Sequence, residues 1–535
     1  MSPTMSYERT VTTPPLTQWP CERWRPASES LASLRSSARI SLLRIAADYQ
    51  RFLWTVAGSR ALSLAASVTE AGVDASIPMV MTGHQPVIFH AGLTWKYETT
   101  EQFVGSRKLH GIAVLIDTDE GDAGAFEIPV VEGTTSPSAV VRRRTERVSL
   151  SRQPGLYLTS QLVSRAGIAT VFARAERALL ESGLSEVAGR VAAAGLRYGE
   201  FGDSSAVVAN TVMRQAAGIG RGLQEVPFSR VCRLPEMLRF FSQLLERARE
   251  FHHCYNEVLD RYRQEHGIRN EANPFPNLQL ENDGFEMPFW LVEPAAGTRS
   301  TVWLQASSGG HWLCRGRQRL TELSSGFVPE SLLGLLAQGW LLVPRGALIT
   351  ASLRLLFSDL FVHGLGGGRY DAATDQLIRA WWHEEPAPFA VASASKCLFP
   401  EDRDRLHRLQ QFQTQVREMQ YNPGRFLDQG VFPEELESRL KVLLAEKDVA
   451  VARLKNCRES GVSGRDIGRT IQQLTEDIRG LVMQSVQPQM DALQQWTPET
   501  IGTVESRLWP WFFYPDEAAA SVTAVQPVES GRPTG

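Results

Sequence analysis

The chain contains two stretches in which short apolar runs alternate with helical patterns. In the first, "IPMVMTG" (77–83) and "GIAVLID" (111–117) flank "GLTWKYETTEQFVGSRKLH" (92–110), whose pattern predicts a helix. The second, 339–394, reads as strand, helix, strand, glycine-rich turn, helix and strand. Strand, helix, strand units normally make a parallel sheet covered by helices. Because each stretch alone has too few strands for a stable core, they predict one α/β, doubly wound, Rossmann-like sheet interrupted by an insertion.

The segment between the two stretches predicts an α+β insertion that could form one wall of a substrate cleft. It contains an amphipathic helical pattern (235–268) and β-rich runs such as "GFEMPFWLVE" (284–293) and "TVWLQAS" (301–307). Both chain ends are rich in small, polar and proline residues, which predicts disordered tails. The predicted organisation is a tail (1–30), a first core part (31–195), the insertion (196–325), a second core part (326–400), a helical arm with a docking segment (401–517) and a tail (518–535).

The C-terminal region is predicted to be helical, with breaks at "YNPGRF" (421–426) and "ESGVSG" (459–464). Apolar residues recur there at steps close to three and four, at Leu436, Leu440, Leu443, Ala450 and Leu454, then at Ile467, Ile471, Leu474, Ile478 and Leu481. This seam predicts a coiled-coil hairpin of about 35 to 40 Å. The hairpin could serve as a homodimerisation arm or pack within one chain. The aromatic run "WPWFFYP" (509–515) is predicted to dock on a core, because an exposed aromatic cluster favours aggregation.

Composition limits the classes of partner. The 535 residues carry a net charge of −3, which gives no electrostatic reason to expect nucleic acid. We find no apolar stretch near 18 residues and no signal peptide, which predicts a cytoplasmic protein without a membrane partner. The six cysteines include no Cys-x-x-Cys pair. His252, His253 and Cys254 are consecutive and would point about 100° apart on a helix, so no structural metal is expected.

The stretch "MTGHQPVIFHAGLTWK" (81–96) follows the first predicted strand and leads into a helix. Ligands of doubly wound sheets bind at such strand ends, so we favour a ligand-binding loop over a merely polar turn. Gly83 and Gly92 allow close backbone approach, and the helix start suits a phosphate. The loop also resembles that of nucleotidylyltransferases and class I aminoacyl-tRNA synthetases, although Leu93 stands where their second histidine lies. His84, His90 and Lys96 are the candidate catalytic residues.

Two further polar segments are predicted at the same sheet edge. "LIDTDEGD" (115–122) follows a strand and holds clustered carboxylates that could bind an ammonium group or Mg²⁺, or form a solvated acidic loop. "HGLGGGRYDAATDQL" (363–377) combines a histidine with consecutive glycines whose amides could cradle an anion. Arg369 or Tyr370 could clamp that anion. "SASK" (393–396) resembles the mobile lysine loop of class I synthetases, with Lys396 as the lysine.

With these segments in place, the chain resembles the cysteine-adding enzymes of bacillithiol biosynthesis, the cysteine ligase (BshC) family. The resemblance lies in "TGHQPVIFHAGLTWKYETTEQF" (82–103), "IAVLIDTDEGDAGAFE" (112–127), "LRLLFSDLFVHGLGGGRYDAATDQLI" (353–378) and "PAPFAVASAS" (386–395). Matching positions in the first block are Thr82, Gly83, Gln85, Phe89, Gly92 and Lys96. The resemblance implies a Rossmann-type core, a dimerising C-terminal coiled coil, and the joining of cysteine to the amine of glucosaminyl malate.

The predicted function is a ligase that couples cysteine or another amino acid to a small amine, with ATP and Mg²⁺ as possible cofactors. His84 is the first candidate for the base that deprotonates the amine. Residues expected to contact substrates are Thr82, Gly83, Gln85, Gly92, Asp119, Glu120, Asp122, His363, Arg369 and Tyr370. Residues expected to contact nucleotide are Gly366, Gly367, Gly368 and Lys396. Because His84 and the glycine block depart from the family pattern, an inactive dimeric scaffold remains an alternative, as does a nucleotidylyltransferase.

Overall fold

The computed structural model describes residues 9–57, 74–132, 142–151, 156–270, 272–281, 284–293 and 295–515. These residues form two compact units. The first comprises the described parts of Met1–Ile128, Glu146–Lys396 and Arg507–Gly535, and the second those of Pro129–Thr145 and Cys397–Ser506. The predicted C-terminal tail (518–535) lies outside the described residues. In the described residues, no helix is long and apolar enough to cross a membrane.

Helices and strands follow one another along the first 231 residues. The first elements are β1 (Arg9–Thr13), α1 (Glu29–Ala57), β2 (Met79–His84), α2 (Ala91–Arg107) and β3 (His110–Leu115). They are followed by β4 (Phe126–Glu132), β5 (Arg142–Val148), β6 (Leu162–Val163), α3 (Arg165–Glu181), α4 (Ser185–Gly199), β7 (Ser204–Ser205), α5 (Ala206–Ala216), β8 (Gln224–Pro227) and α6 (Phe228–Val231).

A second series of elements completes the first unit. It comprises α7 (Pro235–Glu246), α8 (Ala248–Glu265), β9 (Leu280–Glu281), β10 (Gly284–Glu293), β11 (Thr298–Ala306), β12 (Gly310–Arg315), β13 (Gln318–Ser324), α9 (Val328–Ala337), β14 (Leu341–Pro344), α10 (Ala347–Leu356), β15 (Leu360–His363), α11 (Leu365–Leu377) and β16 (Phe389–Ser395). The helices of the second unit are α12 (Pro400–Tyr421), α13 (Glu434–Glu459), α14 (Arg465–Gln494) and α15 (Pro498–Glu505).

One of two six-stranded sheets among the described residues has the order β1, β16, β15, β2, β3, β8. All neighbours are parallel except β1, which runs antiparallel to β16. The parallel strands β2, β3 and β15 are apolar along most of their length and buried, as expected for a sheet covered on both faces. The chain adds β3 and β8 on one side of β2, and later β15 and β16 on the other. The carboxyl ends of β2 and β15 therefore lie side by side where the strand order reverses.

The second six-stranded sheet is antiparallel and has the order β13, β12, β11, β10, β14, with β9 also paired to β10. The sequence predicted β14 as part of the parallel core, but it pairs with β10 instead. Conversely, β8 lies in the segment predicted to be an insertion, yet it pairs with β3 in the parallel sheet. Its four residues, Gln-Glu-Val-Pro, include a single central apolar side chain, so the apolar run typical of a buried strand is missing.

The prediction of a disordered tail at residues 1–30 is wrong for residues 9–30, which the structure describes. Residues 9–13 form β1, in which Arg9 to Thr13 pair with Ser395 to Val391 of β16. Trp19 is buried, and the amide of Trp24 donates to Asp359. Threonine and valine in alternation suit an edge strand, and β1 covers a sheet edge that would otherwise present unpaired backbone groups.

The second unit confirms the predicted C-terminal helical region and its two breaks. Helix α14 packs against both α13 and α12. The core of this unit includes Leu440, Ile478, Leu481 and Val482, and the remaining residues of the predicted seam are buried or half-buried. The seam therefore packs within this chain.

Candidate functional site

A cavity of about 480 Å³ opens in the first unit at the carboxyl ends of β2, β3 and β15. This volume lies in the range of pockets for small molecules. The strands of the parallel sheet and the loops and helix that follow them contribute to its lining Gly83, His84, Gln85, Thr118, Asp119, His363, Gly367, Tyr370 and Asp371. Other lining residues come from the antiparallel sheet and from the turn into α10, among them Trp290, Arg299 and Arg345.

His84 ends β2 and lines the cavity with a neutral imidazole. Burial and the charge of Lys96 lower the pKa of His84 to about 3, against a smaller raising effect of its hydrogen bond to Gln85. Its Nδ1 lies 3.0 Å from the carbonyl oxygen of Gln85. A carbonyl only accepts, so Nδ1 carries the proton and Nε2 is left as an acceptor. An imidazole of such low proton affinity is a weak base at neutral pH.

His90 caps α2 instead of lining the cavity. Its Nδ1 accepts the amide hydrogen of Gly92 at 3.1 Å, an N-cap interaction. Burial, Lys96 and Arg507 lower the pKa of His90 to about 4. Gly92 is buried, and a methyl group there would lie 3.0 Å from the Ser393 hydroxyl and 3.1 Å from the Ala394 carbonyl oxygen. His90 and Gly92 thus start and dock the helix.

Lys96 and Thr82 also act on the backbone rather than on the cavity. Lys96 is buried, and its Nζ donates to the carbonyl oxygen of Gly83 at 2.7 Å. Burial and the charge of Arg214 lower the pKa of Lys96 to about 7. The Thr82 hydroxyl donates to the carbonyl oxygen of Val362 at 2.9 Å and so ties β2 to β15. Neither side chain lines the cavity, because each is committed to a neighbouring carbonyl.

The predicted acidic loop is neutralised by the chain itself. Arg299 of β11 donates to Asp119 at 2.7 Å and pairs with Glu120 at 3.1 Å. Asp119 also accepts from the Gln85 side chain at 2.8 Å. Asp122 is directed away, since it accepts from the Ser149 hydroxyl and the Gly124 amide. Asp119 is the carboxylate of the loop that lines the cavity.

No group of three or more His, Cys, Asp or Glu side chains in the described part of the chain is arranged to hold a metal ion. For the acidic loop the reason is local, because Asp119 and Glu120 share the guanidinium of Arg299. The guanidinium occupies the place between the carboxylates that the sequence assigned to an external cation.

Two arginines enclose Trp290 on the side of the cavity formed by the antiparallel sheet. The guanidinium carbons of Arg299 and Arg345 lie 4.4 and 4.8 Å from the centre of the indole ring. Arg345 is further held by Glu286 at 2.5 Å. Cation–π contacts of this kind fix the planes of the guanidinium groups. Sequence reasoning did not find these residues, since an isolated Trp or Arg in a strand gives no signal of a site.

His363 ends β15, lines the cavity and is bonded to an acid. Its Nε2 lies 3.0 Å from Oδ2 of Asp371, which also accepts from Arg354 at 2.6 Å. Arg354 makes a further ion pair with Asp375 at 2.7 Å. The imidazole packs beside the rings of Phe361 and Phe389. The sequence singled out His363 but not Asp371, which is eight residues downstream and two turns along α11.

The glycine block is not a turn before the helix. Gly366, Gly367 and Gly368 form the first turn of α11, which begins at Leu365. The absence of side chains serves packing, since a methyl group at 368 would lie 2.3 Å from Val391 of β16. Gly367 lines the cavity, whereas Gly366 has open space where its methyl would be.

Of the remaining residues predicted to contact ligands, one lines the cavity and two do not. Tyr370 lines the cavity and is 36% exposed. The Arg369 carbonyl accepts from the Tyr262 hydroxyl at 2.8 Å, and its side chain is not part of the lining. Lys396 is buried with its Nζ 4.9 Å from the ring centre of Tyr514, so it is packed against the C-terminal segment and not against the cavity.

The predicted docking of the aromatic C-terminal segment is confirmed. Trp509, Phe512 and Phe513 are buried in the first unit. The amide of Trp511 donates to the carbonyl oxygen of Phe89 at 2.8 Å, and His90 forms a β-bridge with Pro510. The segment therefore supports the loop between β2 and α2 from outside the cavity.

The sequence matches no protein-family model, and a search of curated proteins finds no match either.

Proposed function

We propose that this chain is a BshC-like ligase of the cytoplasm, which joins the carboxyl group of cysteine or another amino acid to the amine of a small molecule such as glucosaminyl malate. In this reaction ATP activates the carboxyl group, and the amine nitrogen then attacks the activated carbonyl carbon. A carbon–nitrogen bond forms while the carbon–oxygen bond to the phosphate-containing leaving group breaks. With cysteine, the product is a low-molecular-weight thiol of the bacillithiol type.

The strand order supports a Rossmann-like core in this proposal. When the parallel strands β2, β3, β8, β15 and β16 are numbered 1 to 5 in chain order, their order across the sheet is 3-2-1-4-5. This is the order of dinucleotide-binding folds, in which ligands bind at the carboxyl ends of the strands where the order reverses. The cavity lies at that position, beside Gly83 and His363.

The observation that carries the proposal is the presence of a carboxylate and a guanidinium group in one cavity, those of Asp119 and Arg345. An amino acid presents an ammonium group and a carboxylate. Arg299 takes Oδ1 of Asp119, but among the described residues Oδ2 accepts from Gln85 alone and has a second lone pair for the ammonium group. Arg345 can donate to the carboxylate, or to a phosphate attached to it, with the guanidinium hydrogens that its pair with Glu286 leaves. The remaining lining is largely apolar, with Phe275, Trp290 and Leu353, which suits a small organic molecule.

The predicted catalytic residues take modified roles in this proposal. Neutral His84 offers Nε2 as a hydrogen-bond acceptor to the substrate. His90 and Lys96 act through the backbone, by capping α2 and by holding the carbonyl group of Gly83. They are positioning residues for the loop that carries His84 and Gln85.

ATP fits the cavity in part. Arg345, and Arg299 beside it, can neutralise phosphate oxygens, and the amides of the first turn of α11 add partial positive charge. Two guanidinium groups already lie against Trp290, at 4.4 and 4.8 Å, and would compete with an adenine ring for it. Tyr370 offers an accessible ring instead. The residues that the structure describes offer Mg²⁺ no group of three His, Cys, Asp or Glu ligands, so we propose that magnesium arrives on the nucleotide phosphates.

We further propose that the C-terminal helices form a coiled-coil arm that makes a homodimer. Support comes from α13, on which Val442, Val449 and Val451 are 58%, 53% and 46% exposed. Val442 and Val449 are seven residues apart and so lie on one helix face. Light scattering coupled to size exclusion is expected to give twice the mass of one chain, and V442E/V449E should give one chain mass. A monomeric wild-type protein would contradict this part of the proposal.

The reaction is tested with the purified full-length protein, ATP, Mg²⁺, cysteine and glucosaminyl malate. Mass spectrometry is expected to find the amide, with the summed mass of both substrates minus one water, together with ADP or AMP. Asp119→Asn and Arg345→Lys are each expected to lower kcat/KM by about 10- to 100-fold, the loss of one charged hydrogen bond. Asp466→Asn is the matched control, since Asp466 is 94% exposed in the second unit.

Calorimetry with ATP and ADP separates the ligase from a scaffold. The ligase is expected to bind ATP, and to bind it more weakly after Arg345→Lys but not after Asp466→Asn. No amide with any amino acid, and no heat with either nucleotide, would contradict the proposal and favour a small-ligand-binding scaffold.

A further inference from the structure

His363 is the imidazole that the fold places at the centre of the parallel sheet and at the cavity. It is the last residue of β15, whose neighbours are β2 and β16. The ring is held from two sides, by the Asp371 carboxylate at 3.0 Å from Nε2 and by the rings of Phe361 and Phe389. A ring held in this way has a defined orientation.

The carboxylate that holds the ring is ionised. Asp371 is 2% exposed, and burial alone would raise its pKa. The hydrogen bond from His363 and the charge of Arg354 are among the interactions that outweigh burial, so the pKa of Asp371 lies below its ordinary value. An ionised carboxylate only accepts hydrogen bonds. Nε2 of His363 is therefore the protonated nitrogen, and the lone pair of the neutral ring lies on Nδ1.

Gly367 leaves the space beside that lone pair open. A methyl group on residue 367 would lie 2.7 Å from Nδ1 of His363, closer than such atoms approach without a shift. At the preceding position, Gly366, a methyl group would meet nothing within 4 Å. His363, Gly367 and Asp371 all line the cavity. Of these two glycines, Gly367 is the one at which a side chain would block Nδ1.

The other histidines near the cavity differ in this respect. His84 keeps a lone pair on Nε2, but its pKa of about 3 makes it a weak base, and Nδ1 of His90 is occupied by the Gly92 amide. We infer that His363 is the general base of the cavity, with Nδ1 taking the proton from the attacking nucleophile while Asp371 holds the ring from Nε2. In the proposed function, on which this identification of the nucleophile rests, the proton comes from the amine nitrogen as the carbon–nitrogen bond forms. Acid, oriented imidazole and nucleophile then act as they do in hydrolase triads.

The first experiment needs no substrate. Diethyl pyrocarbonate acylates an accessible, unprotonated imidazole nitrogen, and peptide mass spectrometry locates the label. His363 is expected to be labelled in the wild-type protein, and Gly367→Ala is expected to slow that labelling at least tenfold. Gly366→Ala, one position earlier in the same helical turn, should leave it at the wild-type rate. Exposed His253 serves as the internal reference in every variant.

The second experiment measures amide formation from ATP, cysteine and glucosaminyl malate. His363→Gln is expected to lower kcat by about 10²- to 10⁴-fold with little change in KM. Asp371→Asn is expected to lower kcat and to move the rising limb of the pH profile to lower pH. The charged groups around the ring are Asp371 and Asp375 of α11 and Arg354 of α10, and Asp371 is the one in contact with the imidazole.

The outcomes separate the two proposals. Amide formation that survives His363→Gln overturns the inference and leaves the ligase standing. If the wild-type protein makes no amide, the proposed function fails and labelling decides the inference: protection by Gly367→Ala alone supports it. Absent labelling of His363, or equal labelling in both glycine variants, overturns it.

Discussion

The Nζ of Lys96 lies 2.7 Å from the carbonyl oxygen of Gly83, so a buried ammonium group on α2 holds the backbone at the carboxyl end of β2. Burial has a measurable consequence for this lysine. Its pKa falls from 10.5 to about 7, first by desolvation and then by the charge of Arg214. In the unfolded chain the group titrates at its ordinary value.

Between pH 7 and 10, the unfolded chain binds a proton at Lys96 that the folded chain has lost. The free energy of unfolding therefore rises with pH in this window, by at most about 1.4 kcal/mol per pH unit from this group. Below pH 7 both states are protonated and the contribution is constant. Urea unfolding at pH 7 and 9.5 should show this rise in the wild-type protein relative to Lys96→Met. Equal pH slopes in the two proteins would contradict the prediction.

Gly92→Ala is expected to destabilise the protein by about 1 to 3 kcal/mol, because the added methyl meets Ser393, Ala394 and the His90 ring at 3.0 to 3.1 Å. Gly105→Ala is the matched control in the same helix. Its methyl would meet nothing within 4 Å, so it should stabilise by about 0.4 to 1 kcal/mol. Thermal unfolding of the pair checks the sign. A stabilising Gly92→Ala would show that the approach of α2 to β16 is loose.

Arg354 is expected to be the most costly single loss near the cavity. It is 1% exposed and pairs with Asp371 and Asp375, so Arg354→Met leaves two carboxylates without their cation. We expect a loss of about 3 to 5 kcal/mol in the free energy of unfolding. The variant R354M/D371N should be less destabilised than R354M alone. A double variant as unstable as the sum of both singles would argue against the pairing.

Arg299 and Asp119 should be coupled in stability. The pair joins β11 to the loop after β3 at 2.7 Å, and its side chains are 14% and 32% exposed. Partial exposure screens the interaction, so a double-mutant cycle of R299A and D119A should give a coupling energy of about 1 kcal/mol. The same cycle with Arg247 and Glu250, which are 60% and 62% exposed, should give about 0.5 kcal/mol or less. Reversed magnitudes would contradict the assignment of Arg299 to the loop.

The sequence predicts what depends on local pattern. The apolar runs of β2, β3 and β15 identify the parallel strands, and the polar residues that follow them lead to Gly83, His84, Asp119 and His363 at the cavity. The direction in which a side chain points cannot be predicted from such local patterns. Lys96 is a residue type that commonly binds phosphate, but its position on α2 directs Nζ to the backbone carbonyl group of Gly83.

Long-range pairing explains most of what the sequence does not reveal. Arg299 reaches Asp119 across 180 positions, and Trp290 and Arg345 meet through the pairing of β10 with β14. No periodicity within a window of the chain reports such contacts. The strand β8 is not predicted for a different reason. Its four residues are too few for their pattern to distinguish a strand from a loop.

Trp290 and Arg299 belong to the antiparallel sheet and Arg345 follows its strand β14, whereas His363 belongs to the parallel sheet and Asp371 to the helix that follows it. A ligand in this cavity therefore binds only when both sheets are folded. Its binding energy is added to the stability of both at once. When a candidate substrate is titrated, a spectroscopic probe in each sheet should therefore report the same rise in melting temperature. Equal rises at the two probes would identify a ligand of this cavity before any turnover is known.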